Sequence, residues 1–261
     1  MGRNLVLVGA GHAHLTALAN LLRYEAHGGK VTVISAGAYH YYSGMGPGML
    51  GGTYTPSDIR FATKDVVRKQ GGIFIKDYVV KIDPDEKKVH TASGNSFDYD
   101  VLSVNAGSYV PMQDVPEGSD TVYSVKPIEK LMEAADRLKF LFEQKKAVVA
   151  IVGGGPSSAE VAGNVWQLAR KMNRNMPEIN IFAGNTFMAR FPENVRSRVA
   201  SSLKKRGIRI LENGYVEKVT ASSIQMASGE EMACDFIFLA SGVKPSKIFE
   251  DSGLPVGPDK G

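Results

Sequence analysis

Two glycine-rich turns, Gly9-Ala10-Gly11-His12-Ala13-His14 and Gly153-Gly154-Gly155-Pro156-Ser157-Ser158, limit what this chain can fold into more than any other feature. Each follows a short apolar run and opens a segment of helical character. An apolar run without alternation reads as a strand buried on both faces of a parallel sheet. Glycines directly after such a strand let the backbone turn tightly into a helix, where N–H groups and the positive end of the helix dipole converge. That arrangement suits a pyrophosphate, and a Cβ at the glycine positions would collide with it. One copy is a weak signal. Two copies, each inside a β-turn-α unit, point to two dinucleotide sites in series.

The pattern around the two turns repeats. Residues 4–8 read as a strand, 12–26 as its helix and 31–34 as the next parallel strand. Residues 35–55, rich in Gly, Tyr and Met, exceed an ordinary connection and read as a functional loop. A helix over 59–69 and strands at 73–82, 87–91 and 97–104 follow, with turn signals at 83–85 and 93–95 that make a small antiparallel meander. The stretch 111–127, with Pro111, Pro116, Gly118 and Pro127, reads as a linker. Helical periodicity through Ile128, Leu131, Ala135 and Leu138 marks 126–143. The second half then runs through strand 147–152, helix 159–171, strand 179–182, helix 193–205, strand 208–211, a meander at 216–226 and a buried strand at 235–240. The fold class is α/β, with domains at 1–110 and 128–243, the linker between them, and 244–261 starting back toward the first domain.

With 261 residues and 43% hydrophobic composition the chain can bury sizeable cores. Lysine plus arginine (31) nearly balances aspartate plus glutamate (27), and the clusters Arg196/Arg198 and Lys204-Lys205-Arg206 fall on one helix, so they read as a solvated face and not as a nucleic-acid patch. The single cysteine, Cys234, sits in an apolar run and reads as a small buried filler. One cysteine excludes an intrachain disulfide and any mechanism that needs a cysteine pair, and it favours a reducing compartment. No run approaches the roughly 20 apolar residues of a membrane-crossing helix, and no signal-peptide pattern precedes the first strand, so the expected location is cytoplasmic. His12, His14, His27, His40 and His90 lack metal-ligand spacing, and no metal site is expected. His12 and His14, two apart, cannot share a helix face. His40, close to the long loop, is an acid/base candidate.

The segments 5–14, 42–48, 99–108, 152–160 and 234–242 follow the order found in the two-dinucleotide-binding-domain flavoproteins of the pyridine nucleotide-disulfide oxidoreductase superfamily. The chain resembles that group over nearly its whole length. Within it the similarity is to type II NADH dehydrogenases and to the FAD-dependent oxidoreductase found beside or fused to selenophosphate synthase. The resemblance implies two Rossmann-like βαβ dinucleotide-binding domains, FAD on the first and NAD or NADP on the second. It also implies hydride transfer from nicotinamide to flavin, with electrons passed on to a quinone or another small acceptor.

Carried over residue by residue, Gly9, Gly11, His12, Ala13 and His14 match the FAD pyrophosphate turn. His14 stands where a third glycine is usual, which implies a wider gap between helix and strand. Ser35 fills the place of the acidic residue that binds the adenosine ribose, which implies a weakened contact there. Tyr42, Ser43, Gly46 and Pro47 resemble the segment beside the isoalloxazine, and packing of a long loop is their other reading. Gly153, Gly155, Pro156, Ser157 and Ser158 match the nicotinamide dinucleotide turn, with Ser158 in the third-glycine place. Glu160 matches a glutamate near the flavin-nicotinamide junction, where it orients the ring or relays a proton. It reads equally as a first-turn acid that stabilises the helix by about 0.3–1 kcal/mol. Ala106, Gly107, Ser241 and Gly242 lie in strand-to-linker crossings. The strand ending at 182–185 carries no acid, so NAD is not chosen over NADP, and Arg190 and Lys171 are candidate partners for a 2′-phosphate.

In the resembled group the chain returns to complete the first domain, binds the flavin ribityl chain through a Gly-Asp pair and ends in an interface domain. This sequence stops at Gly261, so the expectation is a chain without that return. A dimer interface, peripheral membrane contact and acceptor-binding surface would belong to the same absent part. Two function classes stay open: an FAD-dependent NAD(P)H oxidoreductase, and a non-catalytic dinucleotide-binding sensor or scaffold beside a partner such as selenophosphate synthase. A sulfide:quinone oxidoreductase needs catalytic cysteines that Cys234 alone cannot supply.

Overall fold

In the computed structural model, which describes residues 2–111, 115 and 119–258, each glycine turn leaves the end of an interior strand of a parallel sheet. The chain divides into two compact units, Met1–Tyr42, Arg60–Tyr109 and Lys244–Gly261 forming unit 1, Ser43–Ile59 and Val110–Val243 forming unit 2. Pro116 and Gly118 of the expected linker lie outside the described residues.

Unit 1 contains β1 (Asn4–Val8), α1 (Leu15–Leu18), α2 (Leu21–Glu25), β2 (Lys30–Ser35), α3 (Thr63–Lys69), β3 (Ile73–Lys76), β4 (Val79–Asp83), β5 (Lys88–Thr91), β6 (Ser96–Asp98) and β7 (Val101–Val104). The sheet order is β3-β2-β1-β7, all parallel, and β4-β5-β6 form an antiparallel meander. The two-residue period of β1 and β2 splits the core. Leu7, Val31 and Val33 pack with Leu18, Leu21 and Val67 of the helices. Val6, Val8 and Ile34 pack with Ile82 and Val89 of the meander and with Ile248 of the short helix Ile248–Asp251. Each such side chain stabilises the fold by about 1.5–3 kcal/mol.

Three elements differ from the pattern. The helix expected over 12–26 is interrupted, because Asn20 Nδ2 donates to Thr16 O at 2.8 Å and the Asn20 backbone, at φ −128°, leaves the helical region. The strand expected over 73–82 breaks at Asp77, whose Oδ1 accepts from the Tyr78 N–H at 2.8 Å. The helix expected from 59 starts at Thr63, because Arg60–Phe61 pairs antiparallel with His40–Tyr41.

Unit 2 contains β8 (Val122–Ser124), α4 (Glu129–Gln144), β9 (Val148–Val152), α5 (Pro156–Met172), β10 (Glu178–Phe182), α6 (Glu193–Lys204), β11 (Arg209–Leu211), β12 (Val216–Val219), β13 (Ser223–Met226), β14 (Glu231–Ala233) and β15 (Phe236–Leu239). Its sheet runs β8-β15-β9-β10-β11, all parallel, with β12-β13-β14 as the meander. Ala150, Val152, Ile237 and Leu239 pack with Ile224, Met226 and Cys234 on the meander side. The alternate residues Val149, Ile151, Phe236 and Phe238 are wholly buried. The helices α4 and α5 bury stripes at helical spacing, Leu131/Leu138/Phe142 and Val161/Val165/Leu168. The architecture is α/β with parallel sheets, as the pattern predicts.

Two segments fall elsewhere than the sequence suggests. The strand β8 lies inside the stretch 111–127 that reads as linker, as an edge of the second sheet. Residues 43–59, which the pattern leaves in 1–110, cluster with unit 2. The reason is packing: the helix Gly46–Leu50 contacts α4 and α5, and a Cβ on Gly46 would lie 2.9 Å from Ile128 Cδ1. Gln167 Nε2 donates to Thr53 Oγ1 at 2.7 Å, and Lys171 Nζ donates to Gly52 O at 2.6 Å, which commits the Lys171 ammonium within the unit.

Candidate functional site

The first turn is shaped by the neighbouring strand β7. Gly9 has φ +85°, and a Cβ there would sit 2.1 Å from Asn105 O, so both conformation and space require glycine. A Cβ on Gly11 would meet Asn105 Oδ1 at 2.0 Å. Asn105, which the sequence places with Ala106 and Gly107 in a strand-to-linker crossing and not among the turn's contacts, therefore closes over the turn. Its signal was the strand order, which sets the end of β7 beside the end of β1.

His14, in the third-glycine place, is buried, and both ring nitrogens are engaged. Its Nδ1 lies 2.6 Å from Gly9 O and its Nε2 2.9 Å from Ser103 Oγ. A carbonyl only accepts, so Nδ1 carries a hydrogen and donates it to Gly9 O, while Nε2 pairs with the Ser103 hydroxyl. The ring fills the space between the turn and β7.

His12, one residue past Gly11, is exposed, and its Nδ1 lies 3.1 Å from His40 Nε2. The two rings meet edge-on with centroids 4.9 Å apart, Tyr42 tilts against His12 at 4.6 Å, and Phe61 stacks on His40 at 6.4 Å. Burial, and then the His12 charge, push the His40 pKa below its ordinary value. The pairing of His40–Tyr41 with Arg60–Phe61 helps shape this cluster, which no local periodicity announces. Ala13, Ala106 and Gly107 are exposed, and Ser35 is half-buried at the end of β2, where its carbonyl accepts from the Asp77 N–H at 3.0 Å. Ser43 opens a turn of 3-10 helix, Ser43–Met45, while Gly46 and Pro47 are buried in unit 2.

The second turn repeats the design with one difference. Gly153 has φ +140° with a Cβ position 2.2 Å from Ala240 O, and a Cβ on Gly154 would lie 2.3 Å from Ala183 O. Nothing lies within 4 Å of a Cβ built on Gly155, so the protein itself gives no spatial reason for that glycine. Pro156 occupies the first helical position, where no N–H is lost, and Ser157 is exposed. Ser158 is wholly buried, and its Oγ has no hydrogen-bond partner among the described residues. The open direction at Gly155, at the start of a 17-residue helix, fits a pyrophosphate, while Ser158 Oγ is packed toward Gly153, 3.0 Å from a Cβ built there.

Glu160 is exposed on the first turns of α5 and lines a cleft of about 570 Å³ between α5 and α6, together with Trp166, Met188, Arg198 and Arg206. The Arg206 guanidinium lies 5.2 Å from the Trp166 ring, and Arg196 Nε donates to Phe187 O at 3.1 Å, so this basic face is partly anchored. Beyond β10 the loop returns to the turn, with Met188 N donating to Gly154 O at 2.6 Å. Arg190, Ser241 and Gly242 are exposed. Among the described residues no three His, Cys, Asp or Glu side chains are grouped to hold a metal, and no helix is long and apolar enough to cross a membrane.

This arrangement has counterparts. NADH dehydrogenase-like protein YutJ of Bacillus subtilis is 25% identical over 253 residues, covering 95% of this chain and 68% of its own length. Type II NADH:quinone oxidoreductase of Staphylococcus saprophyticus is 24% identical over 279 residues, covering 96% of this chain and 67% of its own length. Among solved structures, NDH2 from Plasmodium falciparum in complex with NADH superimposes with a TM-score of 0.81 at 20% identity, over 96% of this chain and 57% of that one. The sequence profile of the pyridine nucleotide-disulphide oxidoreductases matches residues 3–261, across both parallel sheets and both glycine turns, and the chain belongs to that family.

Proposed function

We propose that this chain is a flavin-dependent NAD(P)H oxidoreductase, with FAD on the first turn and NAD or NADP on the second. The observation that carries the reading is the duplicated turn, in particular the open Cβ direction at Gly155 at the start of a long helix. When bound, the two cofactors supply hydride transfer from nicotinamide to flavin. The chain holds and orients them. Gly9, Gly11, His12 and Ala13, with Ala106 and Gly107, receive the FAD pyrophosphate, and Ser35 donates to the adenosine ribose. Tyr42 and Ser43, with Gly46 and Pro47 of the same loop, approach the flavin side. Gly153, Gly155, Pro156, Ser157 and Ser158 receive the second pyrophosphate, Ser241 and Gly242 border it, and Glu160 orients the nicotinamide or relays a proton.

Family membership and the likeness to type II NADH:quinone oxidoreductase support a quinone or another small molecule as electron acceptor. The chain spans about two thirds of those relatives and 57% of the Plasmodium chain. The test is an absorption spectrum of purified protein supplied with FAD, before and after anaerobic NADH or NADPH. Bleaching of the flavin band is expected. Protein that takes up no flavin, or whose flavin neither nucleotide bleaches, overturns the reading.

A second reading, a dinucleotide sensor without turnover, is favoured by Ser35 and by the acid-free end of β10, where ribose carboxylates are usual. Calorimetric titration separates the two, because a sensor binds nucleotide without bleaching.

A further inference from the structure

We infer that His12 and His40 act as a one-proton dyad that couples FAD binding at the first glycine turn to uptake of a proton. This rests on the assignment of FAD to that turn. Two ring nitrogens that face each other at 3.1 Å share a single hydrogen. With both rings neutral, one hydrogen lies between His12 Nδ1 and His40 Nε2. One further proton, added at His12 Nε2 or His40 Nδ1, leaves that bridge intact. A second would set N–H against N–H and two like charges side by side, so the dyad takes one positive charge and refuses two.

The groups stacked on the dyad are uncharged rings. Tyr42 covers His12 and Phe61 covers His40. On the paired strands stand Tyr41 and Arg60, the Arg60 guanidinium lying 4.4 Å from the Tyr39 ring centroid, and on the turn itself His14 has both nitrogens engaged. The Arg60 cation is turned to the Tyr39 ring, and burial, followed by the His12 charge, lowers the His40 pKa. His12 stands exposed on the turn that would face a pyrophosphate. A pyrophosphate there favours the charged dyad, and by linkage the charged dyad favours the pyrophosphate. The proton comes from solvent, and no other bond changes.

The experiment is calorimetric titration of the whole chain with FAD in two buffers of different ionisation enthalpy, from about pH 6 to about pH 8.5, a range that brackets ordinary histidine titration. Wild-type protein should take up as much as one proton per FAD, with affinity falling up to tenfold per pH unit on the alkaline side. His12→Gln and His40→Gln should each abolish the uptake and flatten the profile, while His27→Gln, outside the turn, should keep both. FAD bound with pH-independent affinity and no uptake overturns the dyad and leaves the hydride reading standing, and so does uptake that survives in His12→Gln and His40→Gln. Failure to bind FAD at any pH overturns both. The wild-type measurement decides even where a variant does not fold.

Discussion

His14 Nε2 and Ser103 Oγ meet at 2.9 Å across the gap between the first turn and β7, in the place where related turns carry a bare glycine. The imidazole is buried and holds Gly9 O with its other nitrogen. His14→Gly, which restores the usual third glycine, should therefore destabilise the protein, by about 2–4 kcal/mol from the cavity and the lost hydrogen bonds. Ser103→Ala should cost about 1 kcal/mol, and the double variant should cost less than the sum. Urea unfolding measures all three, and a His14→Gly protein as stable as wild type would contradict the assignment.

Two glycines of the second turn should part company on replacement by alanine. Gly153→Ala forces a Cβ to within 2.2 Å of a backbone oxygen at φ +140°, and should lower thermal stability sharply. Gly155 is extended, with φ −90° and ψ 178°, and its Cβ direction is open, so Gly155→Ala should melt like wild type. Its affinity for NADH should nevertheless fall by about tenfold or more, because the methyl enters the pyrophosphate cradle. Wild-type NADH affinity in Gly155→Ala would remove the second turn as the nicotinamide site.

Cys234 should be silent in the folded protein. Burial, with Asp235 and Glu178 nearby, pushes its thiol up to about 12, so thiolate is scarce at neutral pH. Labelling by a disulfide reagent at about pH 8 should wait for denaturant, and NADH oxidation should survive iodoacetamide. Rapid labelling of native protein would show that the core around Cys234 opens.

Asp235 should contribute to the acid limb of stability. Burial pushes its carboxyl upward, but hydrogen bonds from Lys145 and the Val148 N–H, with the Lys145 charge, outweigh it and hold the pKa below its ordinary value. A lowered carboxylate stabilises the fold above its unfolded value, about 3.9, and the gain disappears as pH falls through the folded value. Asp235→Asn should thus lose about 1–2 kcal/mol at neutral pH and converge with wild type in acid. Denaturation across the pH range checks this.

The sheets were legible wherever a strand is buried on both faces. Runs such as 5–8, 148–152 and 236–239 are apolar without a break because, beyond the half-buried Leu5 and Val148 at their starts, their residues are buried. Both glycine turns were legible for the same local reason. What escaped depends on partners far along the chain. The Asn20 side chain ends a helix that apolar spacing would continue, and Val122–Ser124 is too short to stand out from the prolines around it. His40 reaches His12 only within the tertiary fold, and Gly46 is small because Ile128 crowds it. None of these has a signature within its own window of residues.

The interleaving of the units carries a consequence for synthesis. Unit 2 is encoded in full by residue 243, whereas unit 1 still awaits Ile248 for its core and Ser252, whose Oγ accepts the Ile82 N–H at 2.9 Å. A ribosome therefore releases the ingredients of the second unit first, although the first unit began earlier. The amino-terminal half emerges as a nascent chain whose apolar face stays uncovered at least until Ile248 is translated.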